Sequence, residues 1–278
     1  MPDVSGMIWG LPQMLQKGYI VVATDYPGLG TPGIHPYLIG ECEGRAVLDS
    51  VRAARALPRS GASNRFVVWG HSQGGHAALY TGELARSYAP DLKLLGVAAA
   101  APATYLVELF DADKSTAAGK ELTAMAIYSW SHLYGYNASS LVAANAQRPY
   151  QAMAHDCIES VADFEALKKS EKPLMRERFL KSNPATTPPW KGIMQRNTPG
   201  QRAAGAPVFL AQGTADTIVR PAITRQFGKA LCRRGTRVMF VALPGTTHTF
   251  AARDSVRTAL KWMDDRFRGV PAPSVCGR

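Results

Sequence analysis

One short stretch constrains this chain more than any other. Residues 65–75 read Arg65-Phe66-Val67-Val68-Trp69-Gly70-His71-Ser72-Gln73-Gly74-Gly75. An apolar run ends in G-x-S-x-G, and small residues follow at once. The pattern predicts a buried strand, a sharp turn with a serine exposed at its tip, and a helix packed close to the sheet. The glycines leave room where a side chain would clash with the turn. A serine presented in this way is a candidate nucleophile; its chemistry requires an acid and a histidine, and this setting implies that they follow further along the chain.

Both candidates are present, in that order. A serine hydroxyl is a poor nucleophile until a histidine accepts its proton, and a carboxylate must hold that histidine in the right tautomer. Asp216 follows the apolar run Phe209-Leu210-Ala211, where a strand is expected to end. The competing reading of Asp216 is an Asx-turn or a helix cap before Pro221. His248 follows the apolar run of residues 238–243 in Pro244-Gly245-Thr246-Thr247-His248. A loop histidine on its own is ordinary surface. Here the order Ser, Asp, His and the position after a strand favour catalysis. The acyl transition state also needs two N–H donors, and the backbone N–H of Gln73 is the expected first one.

The rest of the chain sets these residues in an α/β pattern. Tyr19-Ile20-Val21-Val22-Ala23 is a continuous apolar run, expected as a strand buried on both faces. Residues 41–57 read as a helix, with Val47, Val51 and Ala54 on one face. Strands are expected at 66–69, 92–101, 207–212 and 238–243, with helices at 74–86, 220–233 and 253–267. Strands alternating with helices predict a mostly parallel sheet with right-handed crossovers. Residues 104–204 break the alternation with helical patterns and a Pro-rich segment at 183–190. A stretch of about 100 residues is too long for a plain loop. The expected organisation is therefore a core of residues 1–103 and 205–278, with 104–204 as a helical cap over the strand ends. Within the cap, Tyr128, Trp130, Tyr134 and Trp190 are candidates either for its core or for a substrate pocket.

Composition removes several other classes. An apolar fraction of 46% and a charged fraction of 19% fit a globular enzyme. The formal charge is +11, but the basic residues are scattered and no nucleic-acid motif appears. His71 and His76 do not form a zinc motif, and the four cysteines form no C-x-x-C, so no metal or other cofactor is expected. No apolar stretch is long and charge-free enough to span a membrane. Gly28-Leu29-Gly30-Thr31-Pro32-Gly33 matches G-x-G-x-x-G, but Pro32 and Pro36 argue against the helix a dinucleotide site needs. A turn-rich loop is expected there instead.

Four stretches together resemble the secretory lipase family of bacterial and fungal α/β-hydrolases. They are Gly18-Tyr19-Ile20-Val21-Val22-Ala23-Thr24-Asp25-Tyr26-Pro27-Gly28-Leu29-Gly30, then Glu43-Gly44-Arg45-Ala46-Val47-Leu48-Asp49, the Gly70 turn, and residues 211–221 with His248. The resemblance runs from about residue 8 to the C-terminus. It implies an α/β-hydrolase fold, a lipid or small-molecule ester substrate, Ser72, Asp216 and His248 as the triad, and a secreted or periplasmic setting. Residues 1–4 do not begin a signal peptide. The family also carries strands upstream of the Tyr19 run, one of which supplies the second oxyanion donor. An N-terminally shortened sheet is therefore expected. Three readings follow: a truncated or mis-started chain, a poorly active remnant, or a Tyr19 strand that slides beside residues 66–69. In the last, the N–H of Asp25 or Tyr26 replaces the lost donor. The first is favoured, because nothing in the sequence compensates visibly.

By the same resemblance Cys232 pairs with Cys276, and Cys157 is a free thiol whose partner is missing. Cys42 reads as a buried helix residue; the alternative is four reduced, packed cysteines. The same triad could instead serve a serine peptidase, or stand in an inactive hydrolase fragment that only binds.

Overall fold

The structure is a computed structural model that describes residues 6, 8–154 and 179–277. Cys157 therefore lies outside the described residues. The elbow stretch forms strand β1 (Arg65–His71), and helix α3 (Gln73–Tyr88) begins one residue beyond Ser72. Upstream lie α1 (Leu11–Gln16) and α2 (Gly40–Ala56). Downstream, β2 is Lys93–Ala100, β3 is Val208–Gly213 and β4 is Val238–Leu243. β4 is apolar throughout, and β2 and β3 are predominantly apolar, interrupted by Lys93 and Gln212, the pattern of strands covered on both faces. The sheet is parallel throughout, in the order β1-β2-β3-β4.

Helices cover both faces. On one side Val97, Ala99, Val208, Leu210 and Val238 pack with Ala78 and Leu79 of α3 and with Phe227 and Leu231 of α8 (Pro221–Arg233). On the other, Trp262 of α9 (Ala251–Phe267) packs on Phe209 with ring centroids 5.8 Å apart. Gly96 makes space for that indole: a Cβ there would lie 2.6 Å from Trp262. This is an α/β arrangement with a sheet covered on both faces, in which a parallel sheet sends every strand's C-terminal end to one side.

Residues 19–23 form no strand and lie outside the sheet. Ile20 is 50% exposed and Val22 41% exposed. The run is held by α9 instead. The Tyr19 hydroxyl bonds Asp264, its ring packs 5.1 Å from Phe267, and Lys17 pairs with Asp264 at 2.6 Å. Apolar character alone does not make a strand; it also needs a partner ladder, and this run pairs with none of the four strands. Cys42 differs from expectation too. It is in α2 as read, but exposed. It shares a helix face with Arg45 and Asp49, while Glu43, Gly44 and Leu48 face inward.

The described chain forms two compact units. The sheet unit comprises Trp9–Tyr26, Leu38–Tyr105 and Asn197–Arg278. Cys232 and Cys276 are joined by a disulfide with a Cα–Cα distance of 5.3 Å, which ties the end of α8 to the C-terminal tail. The other unit draws on Leu106–Arg196, within the expected insertion, and also on Pro27–Tyr37. It is built from α4 (Leu106–Asp113), α5 (Ala117–Tyr134), α6 (Gln147–Ala154) and α7 (Trp190–Arg196). Thr116 caps α5 by accepting from the N–H of Gly119, and Gly135 ends it at φ 71°. Trp130 and Trp190 are completely buried in this unit, with indole N–H groups bonded to the Tyr37 carbonyl and the Ser140 hydroxyl. Both are core residues. Residues 28–33 form turns with Gly28, Gly30 and Gly33 at positive φ, and no helix opens there.

Candidate active site

The turn after β1 is strained at its tip. Ser72 sits at φ 54° and ψ −117°, a conformation unusual for any residue but glycine. Two glycines make the turn possible by absence of a side chain. A Cβ on Gly70 would lie 2.0 Å from the Gly74 carbonyl oxygen, and one on Gly75 would lie 2.9 Å from Pro102. Gly74, the last glycine of G-x-S-x-G, has open space instead. The turn is locked by backbone bonds: Ser72 N–H donates to Ala100, and the Ser72 carbonyl accepts from His76 and Ala103.

The loops after β3 and β4 bring the other two residues to Ser72. His248 Nε2 is 2.8 Å from Ser72 Oγ, and His248 Nδ1 is 2.9 Å from Asp216 Oδ2. The two loops brace each other. Gly245 N–H donates to the Thr214 hydroxyl at 2.8 Å, and Ala215 N–H donates to the Thr246 carbonyl at 3.1 Å. Their approach is so close that a Cβ on Gly213 would meet the Thr246 carbonyl oxygen at 2.2 Å.

Asp216 is held as an acceptor on every side. Oδ1 accepts from the N–H groups of Ile218 (2.9 Å) and Val219 (2.8 Å). Oδ2 accepts from Gln212 Nε2 at 2.9 Å as well as facing His248. Gln212 is itself fixed, donating to the Val219 carbonyl and accepting from the Thr224 hydroxyl at 2.6 Å. The Asx-turn and the facing of His248 are therefore one arrangement, with one carboxylate oxygen turned to each.

Two further residues belong to the site and were not singled out for it by sequence. His71, inside the motif, places Nε2 2.9 Å from the His248 carbonyl, with the two rings 4.8 Å apart. Burial, and then the neighbouring His248, push its pKa down to about 4. The neutral ring donates from Nε2 and holds the backbone of the histidine loop. Glu43 is the other: it is fully buried and accepts from Gln73 Nε2 at 2.8 Å. Gln73 follows Ser72 directly at the start of α3. Asp25 and Tyr26 add to no strand; the Tyr26 phenol has its pKa raised by burial and then by the Glu43 charge.

His71 makes acid stability testable. Its folded pKa of about 4 lies below the usual 6.5, so between those values the unfolded chain binds a proton that the folded chain excludes. Its contribution therefore falls as pH drops from 6.5 towards 4, by on the order of 3 kcal/mol. Melting curves at pH 7 and pH 4.5 should show a larger acid-induced loss for the wild type than for His71→Asn. Equal losses would mean that His71 is not buried neutral.

Sequence and fold comparisons agree with this architecture. The family model for "Secretory lipase" matches residues 7–274. Lipase A of Moesziomyces aphidis is 25% identical over 278 residues, covering 95% of this chain and 57% of the relative. Secreted triacylglycerol lipase LIP7 of Malassezia globosa is 24% identical, covering 96% of this chain and 57% of the relative. The chain thus spans somewhat over half the length of these relatives. The X-ray structure of Candida antarctica lipase A in its closed state superposes with a TM-score of 0.72 at 19% identity, covering 99% of this chain and 66% of that one.

Proposed function

This chain belongs to the secretory lipase family, and from that premise we propose that it hydrolyses carboxylic esters with Ser72 as nucleophile. The observation that carries the proposal is the unbroken line from Ser72 Oγ through His248 to Asp216, at 2.8 Å and 2.9 Å. His248 Nε2 takes the Ser72 proton as Oγ attacks the ester carbonyl. Asp216 keeps the Nδ1 proton in place and stabilises the imidazolium. The backbone N–H of Gln73 donates to the oxyanion. We assign the second donor to the backbone N–H of Asp25 or Tyr26. The alcohol leaves with the proton from His248, and a water activated by the same ring releases the acid.

Relatives named as lipases favour an acyl ester over a peptide. We read residues 104–204 as a helical insertion in the hydrolase core. The Cys232–Cys276 bridge fits an oxidising compartment, and one relative is named as secreted. Among the described residues no helix is long and apolar enough to cross a membrane.

A fluorophosphonate probe and a series of p-nitrophenyl esters from acetate to palmitate test the reading. The probe should label Ser72, and turnover should depend on acyl length. Labelling together with faster cleavage of a peptide p-nitroanilide would overturn ester specificity. A folded sample that neither labels nor turns over would overturn the assignment.

A further inference from the structure

The geometry points to Glu43 as a positioning residue for the oxyanion donor Gln73, an inference that rests on the proposed hydrolase chemistry. Glu43 lies on α2, not on the elbow, and its side chain is wholly buried. Burying a carboxylate is costly unless each oxygen is used. Here Oε1 accepts from Leu38 N–H at 3.0 Å and from Gln73 Nε2 at 2.8 Å, and Oε2 lies 2.6 Å from His76 Nδ1. His76, also fully buried, has its other nitrogen 2.7 Å from the Asn197 carbonyl, while the Asn197 side chain accepts from Gly40 N–H at 3.2 Å. One carboxylate thus joins the start of α2 to two residues in the first turn of α3.

Those two residues are the ones that set the oxyanion donor. Gln73 supplies the N–H, and its side chain is drawn back onto Glu43. His76 donates its own N–H to the Ser72 carbonyl at 3.0 Å, so its ring fixes the turn that carries the nucleophile. Close helix contact brings these groups together. A Cβ on Gly40 would meet the Tyr80 ring at 2.0 Å, and one on Gly44 would meet Leu84 at 2.9 Å. The glycines let α2 lie against α3 closely enough for a glutamate to reach under the elbow. An oxyanion hole works by being in place before charge develops, so a loosened Gln73 should slow the chemical step and leave ester binding alone.

The test uses the full chain and four variants: Glu43→Ala, Glu43→Gln, Gln73→Met and Glu43→Ala/Gln73→Met. Readouts are kcat, KM, melting temperature, and affinity for a trifluoromethyl ketone whose adduct places an oxyanion in the hole. Glu43→Ala and Gln73→Met should each lower kcat by about 10- to 100-fold, with KM within about twofold and inhibitor affinity falling in step. Glu43→Gln keeps an oxygen for Leu38 and Gln73 and can turn an N–H to His76 Nδ1, so it should restore kcat to within about threefold. The double variant should be no slower than the worse single, because both act through one contact.

A lower melting temperature with unchanged kcat and inhibitor affinity would make Glu43 purely structural and overturn the inference. So would effects that multiply in the double variant. Should Glu43→Ala fail to fold, Gln73→Met decides alone, and wild-type behaviour there overturns it. Wild-type protein without Ser72-dependent turnover overturns the hydrolase reading and this inference together. Turnover that the variants leave untouched overturns this inference only.

Discussion

Replacing Ser72 with alanine should lower kcat on a short p-nitrophenyl ester by on the order of 10⁶-fold and abolish fluorophosphonate labelling, with the fold retained. The size follows from the chain of contacts. Ser72 Oγ is the atom 2.8 Å from His248 Nε2, and without it His248 has no proton to take and no nucleophile to activate. Whatever oxyanion and substrate binding remain can then assist only the attack of water. Alanine at φ 54° carries the same backbone strain as serine, so the melting temperature should stay within a few degrees of the wild type. Turnover by Ser72→Ala at a comparable rate would show that another group performs the chemistry.

The strand–turn–helix of residues 65–88 could be read from sequence because three constraints coincide there. An apolar run needs two-sided cover, a tight turn needs glycines, and a serine at its tip can be reached by loops from other strands. Asp216 and His248 could be read for a related reason. Each follows an apolar run, and parallel strands bring their C-terminal ends together whatever their sequence separation. The supporting residues could not be read this way. Gln212 looks like a polar residue closing a strand, yet it donates to Asp216 from inside the core. Glu43 looks like one charge among several on α2, and only the approach of α3 turns it into a buried acceptor. Which side of a helix meets a partner depends on the packing of other elements. The same holds for Cys42, whose helix was expected but whose exposure was not.

Residues 19–23 mark the other limit. Their apolar pattern reads as a strand buried on both faces, but strand formation is a pairing event between two segments. The run instead meets α9 through Tyr19 and Lys17. Local sequence carries the propensity, and the neighbour decides whether it is used.

Asp216→Asn should cost about 10⁴-fold in kcat with little change in KM, because it alters a proton's position and not the shape of the site. Asp216 uses all its contacts as an acceptor: two backbone N–H groups at 2.9 Å and 2.8 Å, Gln212 Nε2, and His248 Nδ1. Asparagine has one oxygen for these roles. The two backbone donors at Ile218 and Val219 belong to the turn and cannot reverse, so the oxygen should stay with them. The amide NH₂ then faces Gln212 and His248. A donor at His248 Nδ1 selects the tautomer with hydrogen on Nε2, which cannot accept the Ser72 proton. The lost negative charge also leaves the imidazolium of the transition state without its partner. Proton NMR of the imidazole should show the hydrogen on Nε2 in Asp216→Asn and on Nδ1 in the wild type. A variant with the changed tautomer but wild-type kcat would separate His248 from the proton transfer and leave Asp216 as a turn residue alone.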